Sequence, residues 1–287
     1  MNDLSAATVL AGLHAPAVDL AAYCSRVGYA GPLEPTLATL RALQALQPAA
    51  IAFEAIDVLM DRGVDISPQA VDAKLLTAGR GGYCYEQNGL FKRVLQSIGF
   101  EVEGLIARVN WNASADAPPR PPSHMALQVT LDGVPWLADV GFGSCVPTAP
   151  LRLDTREPQP TAHETFRLVP AVGELQLEAE IAGRWAPVYR LLPSPMLDTD
   201  YQLANWYTAT HPESHFRHRL IVTRTTPEAR HVLAGARLTV RSASGETERR
   251  FLDADEIERE LAARFLLPVE AEWRPVIERA ALDVNAE

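Results

Sequence analysis

Cys84 sits in the run RGGYCYEQNG, residues 80 to 89, and is the side chain best placed to act as a nucleophile. Gly81 and Gly82 permit a tight turn directly before an apolar periodic stretch. That stretch, Leu90, Phe91, Val94, Leu95 and Ile98, predicts a helix that ends at Gly99 in a left-handed conformation. Cys84 then lies at or near the helix N-terminus, where unpaired N–H groups and the helix dipole favour a negative sulfur. A thiolate is the reactive form of cysteine, and a neighbouring imidazolium favours it further. The plainer reading of a free cysteine is a small buried hydrophobe.

A base and an orienting acid come from one hairpin. In HMALQVTLDGVPWLADVGFG, residues 124 to 143, Asp132 and Gly133 form a favoured two-residue turn, so Leu131 faces Val134. The same register pairs Val129 with Trp136, Leu127 with Ala138 and Met125 with Val140, which makes one face wholly apolar. The opposite face carries His124, Ala126, Gln128, Thr130, Pro135, Leu137 and Asp139. Ala126 lies across from Asp139, so His124 is the diagonal neighbour of that aspartate, with backbones about 7–8 Å apart. An aspartate so placed fixes the imidazole tautomer and stabilises its protonated form, leaving the other ring nitrogen for a thiol. On an arbitrary solvated sheet face the same two residues would only be hydrated. Nothing in the spacing brings Cys84 to His124.

These residues need elements to hold them. Leu37, Leu40, Leu43 and Leu46 recur at helical spacing, with Pro48 expected to end the run, and residues 51 to 60 also read as helical. From Phe100 to about Tyr189 short Val-, Leu- and Trp-rich runs broken by Pro, Gly and Asp have strand composition. Residues 114 to 123 are Pro-rich and predict a surface loop. Leu220 to Arg224 and Ala236 to Ser242 predict further strands, and Asp253 with Glu256 opens a last helix through a capping box.

Composition narrows the function classes. A chain of 287 residues with 47% hydrophobic and 22% charged residues has the make-up of an ordinary soluble protein with two or three packed subdomains. The start, MNDLSAATVL, lacks the basic head and apolar core of a signal peptide, and no apolar run has the length of a membrane span, so a cytoplasmic location without membrane contact is expected. Three scattered cysteines, Cys24, Cys84 and Cys145, make neither a disulfide framework nor a zinc pair. A formal charge of -10 opposes a nucleic-acid partner. No metal site is expected: His211, His215 and His218 are interrupted by Pro212. The GFG at residues 141 to 143 is not a nucleotide fingerprint.

Taken together, RGGYCYEQNGLF, the His124–Met125 pair and LADVGFG resemble the nucleophile, histidine and aspartate motifs of the arylamine N-acetyltransferase family. RVGYAGPLEPTLATL, residues 26 to 40, is similar to the family's N-terminal helical region, and NWYTATHPESHF, residues 205 to 216, to its later strand motif. The resemblance implies an α+β fold: a helical bundle over residues 1–99 carrying the nucleophile, a central β-barrel over 100–204 carrying His and Asp, and an α/β lid over 205–287, around a cysteine-protease-like Cys-His-Asp core. It implies Cys84, His124 and Asp139 as nucleophile, base and orienting acid. Trp111 and Phe216 match positions that contact coenzyme A in some members of the family, with ordinary packing as the alternative, and Phe142 matches an aromatic lining the acceptor pocket. The implied reaction takes acetyl from acetyl-coenzyme A, used as a donor substrate, through an acetyl-Cys84 thioester to an arylamine, hydrazine or N-hydroxyarylamine. The implied assembly is a monomer or homodimer.

Where the family usually has Pro and Asn this chain has Ala52 and Ala55, where it often has His this chain has Gln47 and Gln87, and Tyr85 replaces the commoner Phe. Glu54 and Arg80 match family positions and read as a buried ion pair or as a solvated surface pair. The rival reaction class is a cysteine amidase or peptidase using the same three residues. A non-catalytic binding protein on this scaffold is the other alternative.

Overall fold

A computed structural model describes residues 18–114, 118–192 and 194–284; the N-terminal stretch read above for a signal and part of the Pro-rich loop lie outside the described residues. Helix α1 (Leu20–Val27) opens on Asp19, whose carboxylate accepts the Ala22 N–H, and α2 (Leu37–Ala50) opens on Thr36, which accepts from Thr39. Pro48 does not end α2 but sits in its last turn. So close to the helix end its missing N–H removes a single ladder bond, and the burial of Leu40 and Leu43 offsets that loss.

Residues 51–60, expected as one helix, divide into strand β1 (Phe53–Glu54) and a single turn α3 (Ile56–Leu59). Long-range pairing overrides the local periodicity here. Phe53 and Glu54 pair with Thr223 and Val222 on one side, and on the other the Gly82 N–H donates to Ala52 O while Glu54 N–H donates to Gly82 O. Helix α4 (Pro68–Asp72) runs into a five-residue π-type turn, Ala73–Thr77, before the nucleophile turn and α5 (Cys84–Ile98), which ends on Gly99 at φ 104° as expected.

An eight-stranded antiparallel sheet follows. Its members are β2 (Glu101–Val109), β3 (Pro122–Leu131), β4 (Val134–Ala138), β5 (Leu151–Arg152), β6 (Gln159–Pro160), β7 (Thr165–Ala171), β8 (Glu174–Ile181) and β9 (Arg184–Leu191). They run in the order β5-β4-β3-β2-β9-β8-β7-β6 and form a nearly closed barrel. Residues 205–210 belong to a helix, α6 (Asp198–Thr210), rather than a strand, and a 3-10 turn, His215–Arg217, follows it. The reason is legible in its burial: Tyr201, Asn205, Thr208 and Ala209 face inward at helical spacing, and Asp198 and Asp200 suit the N-terminal turn. The last sheet takes β10 (Ile221–Thr225), β11 (Ala229–Ala234), β12 (Arg237–Ser242) and β13 (Thr247–Phe251), with β1 added at its edge. Helix α7 (Ala254–Ala263) carries the Asp253–Glu256 capping box, and one more helix, α8 (Arg274–Ala281), follows it.

The hairpin register is the expected one from Leu131–Val134 to Leu127–Ala138. Both faces of β3 are buried from His124 to Leu127. Met125, Leu127 and Val129 enter the core shared with the helices, while Ala126 enters the barrel core with Leu137, Phe166 and Tyr189. At His124 and Ala126 the face expected to be solvated is therefore dry, while farther along it Gln128 still meets Glu103 in an exposed contact. From this alternation Leu127→Ala should lose about 2–5 kcal/mol of stability in urea unfolding, and Gln128→Ala, on the exposed Glu103 contact, less than about 0.5 kcal/mol.

Candidate active site

Asp139 follows directly after β4 and is wholly buried, and His124, on β3, is 3% exposed. The imidazole Nε2 lies 2.7 Å from Asp139 Oδ2. The same oxygen accepts the Tyr189 hydroxyl at 3.1 Å, while Oδ1 accepts Asn88 Nδ2 at 3.0 Å and the Gly141 N–H at 2.9 Å. A buried carboxylate met by four donors has the partners its desolvation demands.

Asn88 joins the helix to the hairpin. It stands one turn after Cys84, on the same face of α5. Its Nδ2 also donates to Met125 O at 2.7 Å, and its Oδ1 accepts the Val140 N–H at 3.0 Å. Met125 and Val140 are the next pair that would exchange ladder hydrogen bonds, and the β3–β4 ladder ends before them, at Leu127–Ala138. The carboxamide occupies the place of that missing bond, which parts the strands and turns Asp139 toward His124. Gly141 completes the junction, because a Cβ there would fall 2.9 Å from Cys84 Cα and 2.8 Å from Asn88 Nδ2.

Cys84 is the first residue of α5 and is 4% exposed. Its Sγ lies 3.8 Å from the carbonyl oxygen of Ser123, the residue directly before His124. With Nε2 engaged by Asp139, Nδ1 is the ring nitrogen left for another partner. The turn before Cys84 is tight for physical reasons. A Cβ on Gly81 would meet Ala52 O at 2.2 Å, and one on Gly82 would meet the Glu86 carboxylate at 2.7 Å. Below it, Arg80 donates to Glu54 Oε1 through Nε at 3.0 Å and Nη2 at 2.8 Å, the buried ion pair of the two readings left open, and stacks 4.7 Å from the Trp273 ring centroid.

Charge in this site is set by competition between burial and partners. Burial opposes a charged imidazole, but the Asp139 carboxylate and the Cys84 sulfur outweigh it and push His124 up to about 10. Burial likewise opposes an ionised Asp139, and His124, Asn88 and the Gly141 N–H reverse the balance, holding it below its ordinary value. Burial and then Asp139 push the Tyr189 hydroxyl well above its ordinary value, so it remains a donor. A sulfur, an imidazole and a carboxylate in series can take a proton from a thiol, hold it, and return it to a leaving group.

The aromatic residues divide into two walls. The Phe142 ring lies 5.0 Å from His124, 5.2 Å from Tyr189 and 6.4 Å from Trp111. Phe216 stands apart from these, 5.9 Å from Tyr83 and from Phe53, on the nucleophile-turn side. Asn88 was open to discovery in the sequence as the polar residue four positions after Cys84, whereas Tyr189, 50 residues from Asp139, had no local signal. His211 stacks on Tyr207, and His218 bonds Pro212 O; among the described residues no group of three or more His, Cys, Asp or Glu is arranged to hold a metal ion. Among them, too, no helix is long and apolar enough to cross a membrane.

His124 gives a pH-dependent contribution to stability. Its folded pKa lies above the unfolded value of about 6.5, so the contribution is full below that value and is lost as pH rises through about 10. The thermal midpoint should therefore fall between pH 7 and pH 10, and fall less steeply in His124→Gln, as scanning calorimetry at a series of pH values will read.

Known proteins carry the same arrangement of elements. A family model described as N-acetyltransferase matches residues 36–274. The arylamine N-acetyltransferase of Mycobacterium tuberculosis is 39% identical over 274 residues, covering 94% of this chain and 95% of the relative. Its solved structure superposes with a TM-score of 0.87 at 40% identity over 92% of this chain and 99% of that one. The Mycobacterium marinum enzyme, solved in complex with CoA, superposes with a TM-score of 0.86 at 39% identity over 92% and 98% of the two chains. The chain belongs to the arylamine N-acetyltransferase family and is an acyltransferase.

Proposed function

We propose that the chain moves the acetyl group of acetyl-coenzyme A to an arylamine by way of a thioester on Cys84, with His124 as the base and Asp139 as the acid that orients it. The observation that carries this reading is the 2.7 Å contact between His124 and Asp139, both buried, beside a sulfur at a helix N-terminus. In the first half-reaction Cys84 Sγ attacks the thioester carbonyl carbon and the coenzyme A sulfur leaves, taking a proton from the His124 imidazolium. In the second the amine nitrogen attacks the acetyl-cysteine, gives its proton to His124, and the Cys84 sulfur departs with the bonding pair. Backbone N–H groups near Cys84 would receive the oxyanion in both.

Exchange of one thioester for another is close to isoenergetic, so the site must admit amines and discourage water. The burial of Cys84 and the Phe142–Trp111 wall suit that demand. Phe142 is proposed to line the acceptor position, and Trp111 and Phe216 to contact coenzyme A from the two walls. Hydrazines and N-hydroxyarylamines would enter by the same route. Residues 1–99, 100–204 and 205–287 are proposed as the nucleophile, barrel and lid units of a cytoplasmic monomer or homodimer.

Mixed with acetyl-coenzyme A and no amine, the wild-type protein should gain the mass of one acetyl group on the peptide containing Cys84, and Cys84→Ser should gain none. Coenzyme A release that proceeds at full rate without any amine would instead place the chain among thioester hydrolases.

A further inference from the structure

Beneath Cys84 lies a set of buried charges that neither half-reaction uses. Glu86, in the first turn of α5 with its side chain 2% exposed, accepts the Tyr83 N–H through Oε2 at 3.0 Å. Its other oxygen lies 2.7 Å from Lys74 Nζ, and the same ammonium lies 2.7 Å from Asp57 Oδ2. Asp57 Oδ2 also accepts Arg80 Nη2 at 3.1 Å, which ties this cluster to the Glu54–Arg80 pair. Three carboxylates thus surround the turn, and Lys74 is the cation that touches Glu86.

Lys74 is held there by its backbone. It belongs to the π-type turn Ala73–Thr77, a rare conformation that concentrates at functional positions. Asp72, just before it, pairs with Arg93 of α5 at 3.0 Å, Arg26 Nε donates to Leu75 O at 3.1 Å, and the Arg80 N–H donates to Lys74 O at 3.0 Å. The ammonium is therefore delivered to Glu86 rather than left to find it, and its side chain is 16% exposed.

A buried carboxylate at this position faces two unfavourable alternatives without a cation. Protonated, it is a weaker acceptor for the Tyr83 N–H and the turn loosens. Ionised and alone, it puts a negative charge at the helix end where Cys84 must carry one. Burial does push Glu86 upward, and Lys74 opposes that push. We propose that Lys74 is a positioning residue for Cys84: its ammonium lets an ionised Glu86 cap the nucleophile turn without opposing a negative sulfur at the same helix N-terminus. The inference rests on the reading of Cys84 as the nucleophile.

The substitution Glu86→Gln separates the two functions, because a carboxamide oxygen can accept the Tyr83 N–H and needs no counter-charge. The test is the second-order rate of Cys84 alkylation by iodoacetamide at pH 7 in the full chain, with acetylation by acetyl-coenzyme A followed in parallel. Lys74→Met should slow alkylation about tenfold in the protein that keeps Glu86 and less than about twofold when made on Glu86→Gln, while Lys74→Arg on the wild type stays within about threefold. Lys74→Met at the wild-type rate, or a tenfold loss that persists on the Glu86→Gln background, overturns the proposal. If Lys74→Met alone does not fold, Glu86→Gln with and without Lys74→Met, together with Lys74→Arg, decides it. A wild-type protein that alkylates readily but takes no acetyl group contradicts the proposed reaction, and the alkylation ratios still judge Lys74.

Discussion

The structure turns on a carboxylate with no access to water. Asp139 lies where α5, the β3–β4 hairpin and the barrel strand β9 meet, and each of them supplies a hydrogen-bond donor to it: Asn88, His124 with the Gly141 N–H, and Tyr189. Burying such a group without partners would be prohibitive, so the three elements are bound to one arrangement. The catalytic geometry proposed for the chain is the same arrangement seen from the other side. A carboxylate satisfied in this way holds the imidazole, and Asn88 carries the helix of Cys84 back to the same carboxylate.

Local rules made part of this legible in the sequence. The Asp132–Gly133 turn set the register, and the register placed His124 diagonal to Asp139, because a two-residue hairpin leaves one pairing that buries the apolar face. The glycine pair and the apolar period after it located the start of α5 within the chain. What stayed hidden was decided at long range. Phe53 and Glu54 look helical alone and become a strand because β10 and Gly82 bond them from both sides. Residues 205–210 are helical because Tyr201, Asn205 and Thr208 face inward, and that burial depends on partners far along the chain, Thr208 among them standing opposite the Tyr85 hydroxyl. The splaying of the hairpin after Ala138 depends on Asn88, 52 positions from Val140, so hairpin geometry alone could not place Asp139 in its final orientation.

Gln47 and Gln87, two of the departures read in the sequence, are accommodated by hydrogen bonding rather than by charge. Gln47 and Gln87 are both fully buried, and Gln47 Nε2 donates to Gln87 Oε1 at 2.9 Å. The Tyr23 hydroxyl donates to Gln47 Oε1 at 2.9 Å, while Gln87 Nε2 reaches the carbonyls of Ile51, Ala52 and Gly82. A pair of carboxamides satisfies donors and acceptors alike and does not titrate near neutral pH. It therefore ties α2 and the nucleophile turn to α5 in a way that does not change with pH, and leaves the charged chemistry to the sulfur, the imidazole and the groups that hold them.

The imidazole reports the central interaction most directly. Ring nitrogen-15 shifts of His124 at pH 8.5, where burial and neighbouring cations leave His163, His215 and His231 neutral, should show both nitrogens protonated and should change only as pH approaches about 10. A His124 ring that is neutral at pH 8.5, or that titrates at the ordinary histidine value of about 6.5, would contradict the account.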